Sequence, residues 1–236
     1  MMMGRNLSRL HICLVLTALA LCGCGDNEAT QRRAFIEFLQ TRIINKPGIH
    51  VPHLTTDETA AFGPYAKHYA IIVDFNAALD DAVSKPMQRA LKNGTPHSLA
   101  EVMARRKDIA AVGEGMAQIR VALDRERAKA DAARTALIEP DDLKPVYDAA
   151  YARDVTMPAK VWADIFPDIE ETMTSMLALA DFVASHHDTV KIQGAMIQTS
   201  DPSLQPALAA MVDKVREKGD AINKAQQHLN ALIVGG

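Results

Sequence analysis

From Ser98 to Glu139 the chain runs without a proline, and apolar residues recur every seven positions: Val102, Ile109, Met116, Leu123, Ala130 and Leu137. Val112, Ile119 and Ala133 fall at the intervening positions of the same heptad. A strand cannot hold such a repeat on one face, whereas a helix packed against other helices can. Ser98 and Glu101 have capping-box spacing at its start. About 38 helical residues would span roughly 57 Å, more than a compact domain of this size needs. The last segment repeats the pattern, with Leu208, Val215, Ile222 and Leu229 recurring by seven and Met211, Ala225 and Leu232 between them. Aromatics make up only 5% of the chain and 38 residues are Ala, a composition that favours helix over sheet. The expected fold class is all-α: an elongated antiparallel helical bundle with long heptad-patterned helices.

The other segments fit that class. Thr30 is the expected cap of a helix carrying Phe35, Phe38, Leu39 and Ile43, which ends at Lys46-Pro47-Gly48. A loop follows, and the Thr55–Glu58 capping box opens a helix whose stripe is Phe62, Tyr65, Tyr69, Ile72, Val73, Leu79 and Val83, interrupted by Gly63-Pro64. Pro140 is the expected start of a helix with Leu143, Val146, Tyr147, Ala150 and Tyr151 inward, ending at Met157-Pro158. Two further helices are expected over residues 159–166 and 168–185. The β-branched residues around Gly194-Ala195 suggest one short hairpin near 189–199 with a type II′ turn, and Ser200-Asp201-Pro202 opens the final helix.

The N-terminus is expected to be a targeting signal rather than part of the fold. Arg5 and Arg9 precede an uncharged apolar run from Ile12 to Leu21, too short to span a bilayer. Leu21-Cys22-Gly23-Cys24 resembles the lipobox of bacterial lipoproteins, which makes Cys24 the expected site of acylation; choosing Cys22 instead would put Leu21 where a small residue is required. The expected organisation is a signal peptide over 1–23, a short tether over 24–29, and one helical domain over 30–236. Removing the first 23 of the 236 residues leaves 213, takes away Cys13 and Cys22, and moves the formal net charge from −3 to −5. With Cys24 acylated, the mature chain has no free thiol for a disulfide, a zinc site or a nucleophile. The mildly acidic balance speaks against nucleic acid as a partner. By resemblance to lipoprotein sorting, Gly25 just after the anchor implies the outer membrane, facing the periplasm, although Asp26 one position later keeps the inner membrane open.

Four blocks stand out: residues 31–40, Phe62-Gly63-Pro64-Tyr65 followed by Tyr69-Ala70-Ile71, Ala130-Asp131-Ala132-Ala133, and residues 141–148. Together they resemble the YiaF-like lipoproteins, a domain-of-unknown-function family of Gram-negative bacteria. The resemblance implies a lipid-anchored envelope protein and brings no catalytic residues with it.

No P-loop, Gly-x-Ser-x-Gly elbow, His-Glu-x-x-His or EF-hand pattern occurs, and Gly113-Glu114-Gly115 lies within the heptad helix rather than after a strand. His50 and His53 in one loop, and His186 and His187 beside Asp188, are the candidate metal ligands, although no ligand spacing joins them. Asp141, Asp142 and Asp148 are a candidate paired-carboxylate site that the first turn of a helix explains equally well. Arg105-Arg106-Lys107 is a short cationic run flanked by acids, and Met173, Met176, Met196 and Met211 are candidates to line an adaptable groove. No cofactor is expected. The expected partners are the membrane, through the lipid, and an envelope protein, with the oligomeric state open because heptad seams close within one chain or between chains. The expected function is a non-enzymatic structural or interaction module. The alternatives are a hydrolase or metal-binding enzyme using the His and Asp residues, and a carrier of an apolar ligand in a bundle cavity.

Overall fold

The computed structural model describes residues 22–90, 92, 94, 96, 98–193 and 196–234. The expected signal segment through Leu21 and the Gly194-Ala195 turn lie outside the described residues. So do the side chains of Cys22, Cys24, Ala225, Leu229 and Leu232.

The fold is all-helical with one small hairpin. Helix α1 (Cys22–Phe38) begins well ahead of the expected Thr30 cap, so the stretch expected as a tether is helical. It places Phe35, Phe38, Leu39 and Ile43 in the main core. Helix α2 (Thr56–Phe62) is opened by the expected capping box: the Glu58 amide donates to Thr55 Oγ1 at 3.1 Å, and the Thr55 amide donates to Glu58 Oε2 at 2.8 Å. Gly63 then takes φ +53°, a 3-10 turn covers Gly63–Tyr65, and α3 (Ala66–Leu79) follows. A short α4 (Lys85–Ala90) has Pro86 in its first turn.

The heptad segment forms two helices rather than one. Helix α5 (Leu99–Ala104) ends at Arg105, whose backbone (φ −104°, ψ 17°) breaks the run before α6 (Arg106–Thr135). Neither Gly nor Pro causes this break. It lets Val102 and Ile109 both pack on Ala180 of the helix opposite, and Arg105 holds the corner through Glu101 at 2.7 Å and the Gly94 carbonyl at 3.2 Å. Helix α6 buries Ile109, Met116, Ile119, Leu123 and Ala130, while Ala133 is exposed. Its 30 residues span roughly 45 Å, shorter than the length expected for an unbroken run.

After a turn over Asp141–Leu143 come α7 (Lys144–Tyr151) and α8 (Met157–Ser185). Pro158 sits in the first turn of α8 instead of ending a helix, and Pro167 is carried inside α8, where Phe166 and Ile169 on either side are buried. Strands β1 (Val190–Gln193) and β2 (Met196–Thr199) pair antiparallel with Gln193 opposite Met196, as expected for a two-residue connection. The Asp201 carboxylate accepts from the Ser203 amide at 2.9 Å, and α9 (Gln205–Val234) then packs back along α8. Arg106 pairs with Asp181, Arg120 with Glu170 at 3.3 Å and Lys218 with Glu171 at 2.6 Å, so α6 and α9 both run antiparallel to α8.

Three π-helical turns, Leu39–Ile44, Asp80–Ser84 and Ala152–Thr156, sit at the ends of α1, α3 and α7. Each is crossed by buried residues spaced by four: Phe35-Leu39-Ile43, Phe75-Leu79-Val83-Met87, and Tyr147-Tyr151-Val155-Ala159. In a regular α-helix, steps of four drift about 40° each around the axis, so such a series would wind out of the core. The wider i→i+5 turn takes up that drift and keeps each series facing inward.

Candidate functional site

At one end of the bundle, α1 is fastened to two loops. Tyr65 Oη donates to Glu28 at 3.0 Å, and Arg32 Nε donates to Asp142 at 3.1 Å. Glu28 lies one turn past Cys24, so the backbone passes from the candidate acylation site into the folded domain within a single helix.

The two His-rich spots do not meet. His50 and His53 are exposed in the loop that Arg153 holds through the Lys46 and Gly48 carbonyls, just before α8 begins. His186 and His187 lie just past the other end of α8, whose 29 residues span roughly 43 Å. His186 rests on Phe182 with ring centroids 4.4 Å apart, and its Nδ1 lies 2.8 Å from the Phe182 carbonyl; His187 is paired with Asp188 at 3.3 Å. Among the described residues, no group of three or more His, Cys, Asp or Glu side chains could hold a metal ion. A shared metal site built from both spots is thereby ruled out on geometry.

The acidic candidates are divided in the same way. Asp142 is taken by Arg32, Asp141 is exposed, and Asp148 lies between Arg134 at 2.6 Å and Lys144 at 2.7 Å. Partial burial would raise the Asp148 carboxyl, but the hydrogen bonds from Lys144 and Arg134 outweigh it and hold the group below its ordinary value. Arg105 and Arg106 are engaged with Glu101 and Asp181. Of the four Met candidates, Met173, Met176 and Met211 fill gaps against the cores, and only Met196 on the hairpin is exposed.

The structure brings together a polar centre that no motif spacing singles out. His68 of α3 and Glu139 of the loop after α6 approach to 3.7 Å with both side chains about nine-tenths buried, and neither His68 Nδ1 nor Glu139 Oε1 has a hydrogen-bond partner. The imidazole is walled by Phe35, Tyr65 and Tyr147, with ring centroids 5.4–6.4 Å apart, and Tyr147 Oη donates to the His68 carbonyl at 2.8 Å. Burial lowers the His68 imidazole and raises the Glu139 carboxyl, so each is pushed toward its neutral form. About two turns past Tyr147, Asp154 is fully buried in the third π turn, and neither carboxylate oxygen has a partner. Burial raises it to about 7 against the charge of Arg153 and the His50 amide, while Asn76 Nδ2 donates to its backbone carbonyl at 2.9 Å. The signal was present in both cases: His68 lies on the Tyr65-Tyr69-Ile72 stripe, and Asp154 is seven residues past Tyr147.

A groove of about 560 Å³ lies between α6 and the segment around α4, lined by Ala82, Pro86, Ala90, Ala111, Val112 and Ile119, with Arg89 and Gln118 as its polar groups. Gly115 opens onto it, and a Cβ there would meet nothing within 4 Å. No described helix is long and apolar enough to cross a membrane.

The model of a family described as a protein of unknown function, DUF3053, matches residues 12–230. The chain belongs to that family. It is 27% identical over 198 residues to the uncharacterized protein YiaF of Escherichia coli K12, covering 83% of this chain and 84% of YiaF. The same figures hold for the YiaF proteins of Escherichia coli O157:H7 and Shigella flexneri. No solved structure matches.

Proposed function

We propose that the protein is a lipid-anchored envelope protein, held at the outer membrane and facing the periplasm, that works by contact with other envelope components rather than by catalysis. One observation carries this reading. The lipobox-like Leu21-Cys22-Gly23-Cys24 runs into a helix, Cys22–Phe38, that enters the core at Phe35 and Phe38, so an acyl chain on Cys24 would hold the bundle at the bilayer surface. The Ala-rich groove beside α6 supports the contact reading, because small side chains let another backbone approach closely. The separation of the two His spots removes the motivation for an enzyme that uses both.

The test is fractionation of cells that make the full-length chain or its Cys24→Ala variant, with the mass of the processed N-terminus measured. The expected result is an acylated Cys24 N-terminus in the outer-membrane fraction, lost with the variant, and crosslinked envelope proteins that disappear with it. A wild-type chain that keeps its first 23 residues, or that is recovered without acyl chains, overturns the reading.

A further inference from the structure

Ile138 is 95% exposed, the most exposed of the large apolar side chains among the described residues. It lies in the loop between α6 and α7, and the residues on either side of it turn inward: Leu137 packs on the main core and the Glu139 side chain is buried beside His68. Pro140 follows, with the Leu143 amide bonded back to its carbonyl at 3.0 Å, and Asp142 is tied to Arg32 of α1 at 3.1 Å. The loop is therefore pinned at Leu137, Glu139 and Asp142, with one isoleucine held out in water. Isolated exposed apolar residues are common, but this one is at a particular place. Arg32 lies eight residues past Cys24 in the same helix, a rise of about 12 Å. The pinned loop is thus joined to α1 about two turns past the anchor.

We propose that the loop from Leu137 to Asp142 is a second membrane contact, with Ile138 inserted into the interfacial layer of the leaflet that holds the lipid on Cys24. This rests on the anchoring reading above. The occupant is a zwitterionic lipid surface, because the charges around the loop offer nothing to an anionic one. Arg32 is engaged by Asp142, Arg134 and Lys144 are engaged by Asp148, and Asp141 is exposed. One acyl-bearing residue leaves a domain free to swivel about a single point, and a buried isoleucine beside it supplies a second point that fixes orientation.

The acylated chain is well suited to a probe test, since Cys13 and Cys22 leave with the signal and the Cys24 sulfur carries lipid. Ile138→Cys is labelled with an environment-sensitive fluorophore, and Val121→Cys, a 64% exposed position roughly 20 Å back along α6, serves as the control. Both proteins are purified in acylated form and reconstituted into phosphatidylcholine and phosphatidylethanolamine vesicles. The expected result is a blue shift and loss of iodide quenching at 138 on vesicle binding, with neither change at 121. An acylated, vesicle-bound chain whose 138 probe stays in water overturns the insertion and leaves the anchor standing. A probe in water on vesicles but shielded in intact envelopes gives the loop to a protein partner and also overturns the lipid assignment. A chain recovered without acyl groups overturns the anchor and the insertion together.

Discussion

Asp154 offers the sharpest test of the packing described above. Its carboxylate is fully buried, neither oxygen has a partner, and burial raises it to about 7 from an ordinary value of 3.8. Below the ordinary value both folded and unfolded chains hold the proton. Between there and pH 7 the unfolded chain has released it and the folded chain has not, so stability falls as pH rises, by about 1.4 kcal/mol per unit. Above 7 the loss levels off at roughly 4 kcal/mol. Asp154→Asn keeps the shape and removes the charge. Its buried amide carries a cost of its own, about 1–3 kcal/mol, but that cost does not titrate and cancels when two pH values are compared. Urea unfolding of the signal-free chain with Cys24→Ser, with and without Asp154→Asn, at pH 5 and pH 8 isolates the carboxylate. The variant should gain about 3 kcal/mol on its parent between the two, a midpoint difference of roughly 1 M urea or more. A difference below about 1 kcal/mol would mean that the carboxylate finds water or a partner and that the third π turn is looser than described.

Two other perturbations follow from the same reasoning. His68 has its imidazole lowered by burial, so the stability it contributes is present above its ordinary value of 6.5 and lost as pH falls through the folded one; His68→Phe keeps the ring packing and should gain on its parent in urea midpoint as pH is lowered from 7 to 5, and a difference between the two that stays constant with pH refutes the assignment. Gly63→Ala places a Cβ within 2.4 Å of the Gln31 side chain at φ +53°, and should cost about 1–3 kcal/mol in chemical denaturation; adding Gln31→Ala should recover only part of it, because the backbone strain persists.

Features set by neighbours in sequence were legible in the chain. The Thr55–Glu58 box, the Ser200-Asp201-Pro202 start of the last helical segment and the two-residue hairpin connection each depend on a few adjacent residues, and all three stand where their spacing put them. The core face of α6 was legible too, because Ile109, Met116, Leu123 and Ala130 share one period. What escaped was set by partners distant in sequence. The break at Arg105 leaves Val102 and Ile109 in one buried cluster with Ala180 of α8, and no turn residue marks it. Pro167 suggested a gap, yet buried neighbours on both sides hold the helix through it. His68 and Glu139 are 71 residues apart, and only the path of α6 brings them together.

The three π turns also decide where the chain can change length. An i→i+5 turn spends about one residue more per revolution than an ordinary helical turn. Deleting one residue from Ala152–Thr156 would therefore let an ordinary turn close over nearly the same angle, and Ala159, Ile165 and Phe166 would keep facing the core. The same holds at Leu39–Ile44 and Asp80–Ser84. A residue lost between Met116 and Leu123 in the middle of α6 would instead turn every later residue of that helix by about 100° and carry Leu123 and Ala130 off the core. Changes of one residue in chain length are thus absorbed at the three π turns and nowhere along the regular part of the long helices.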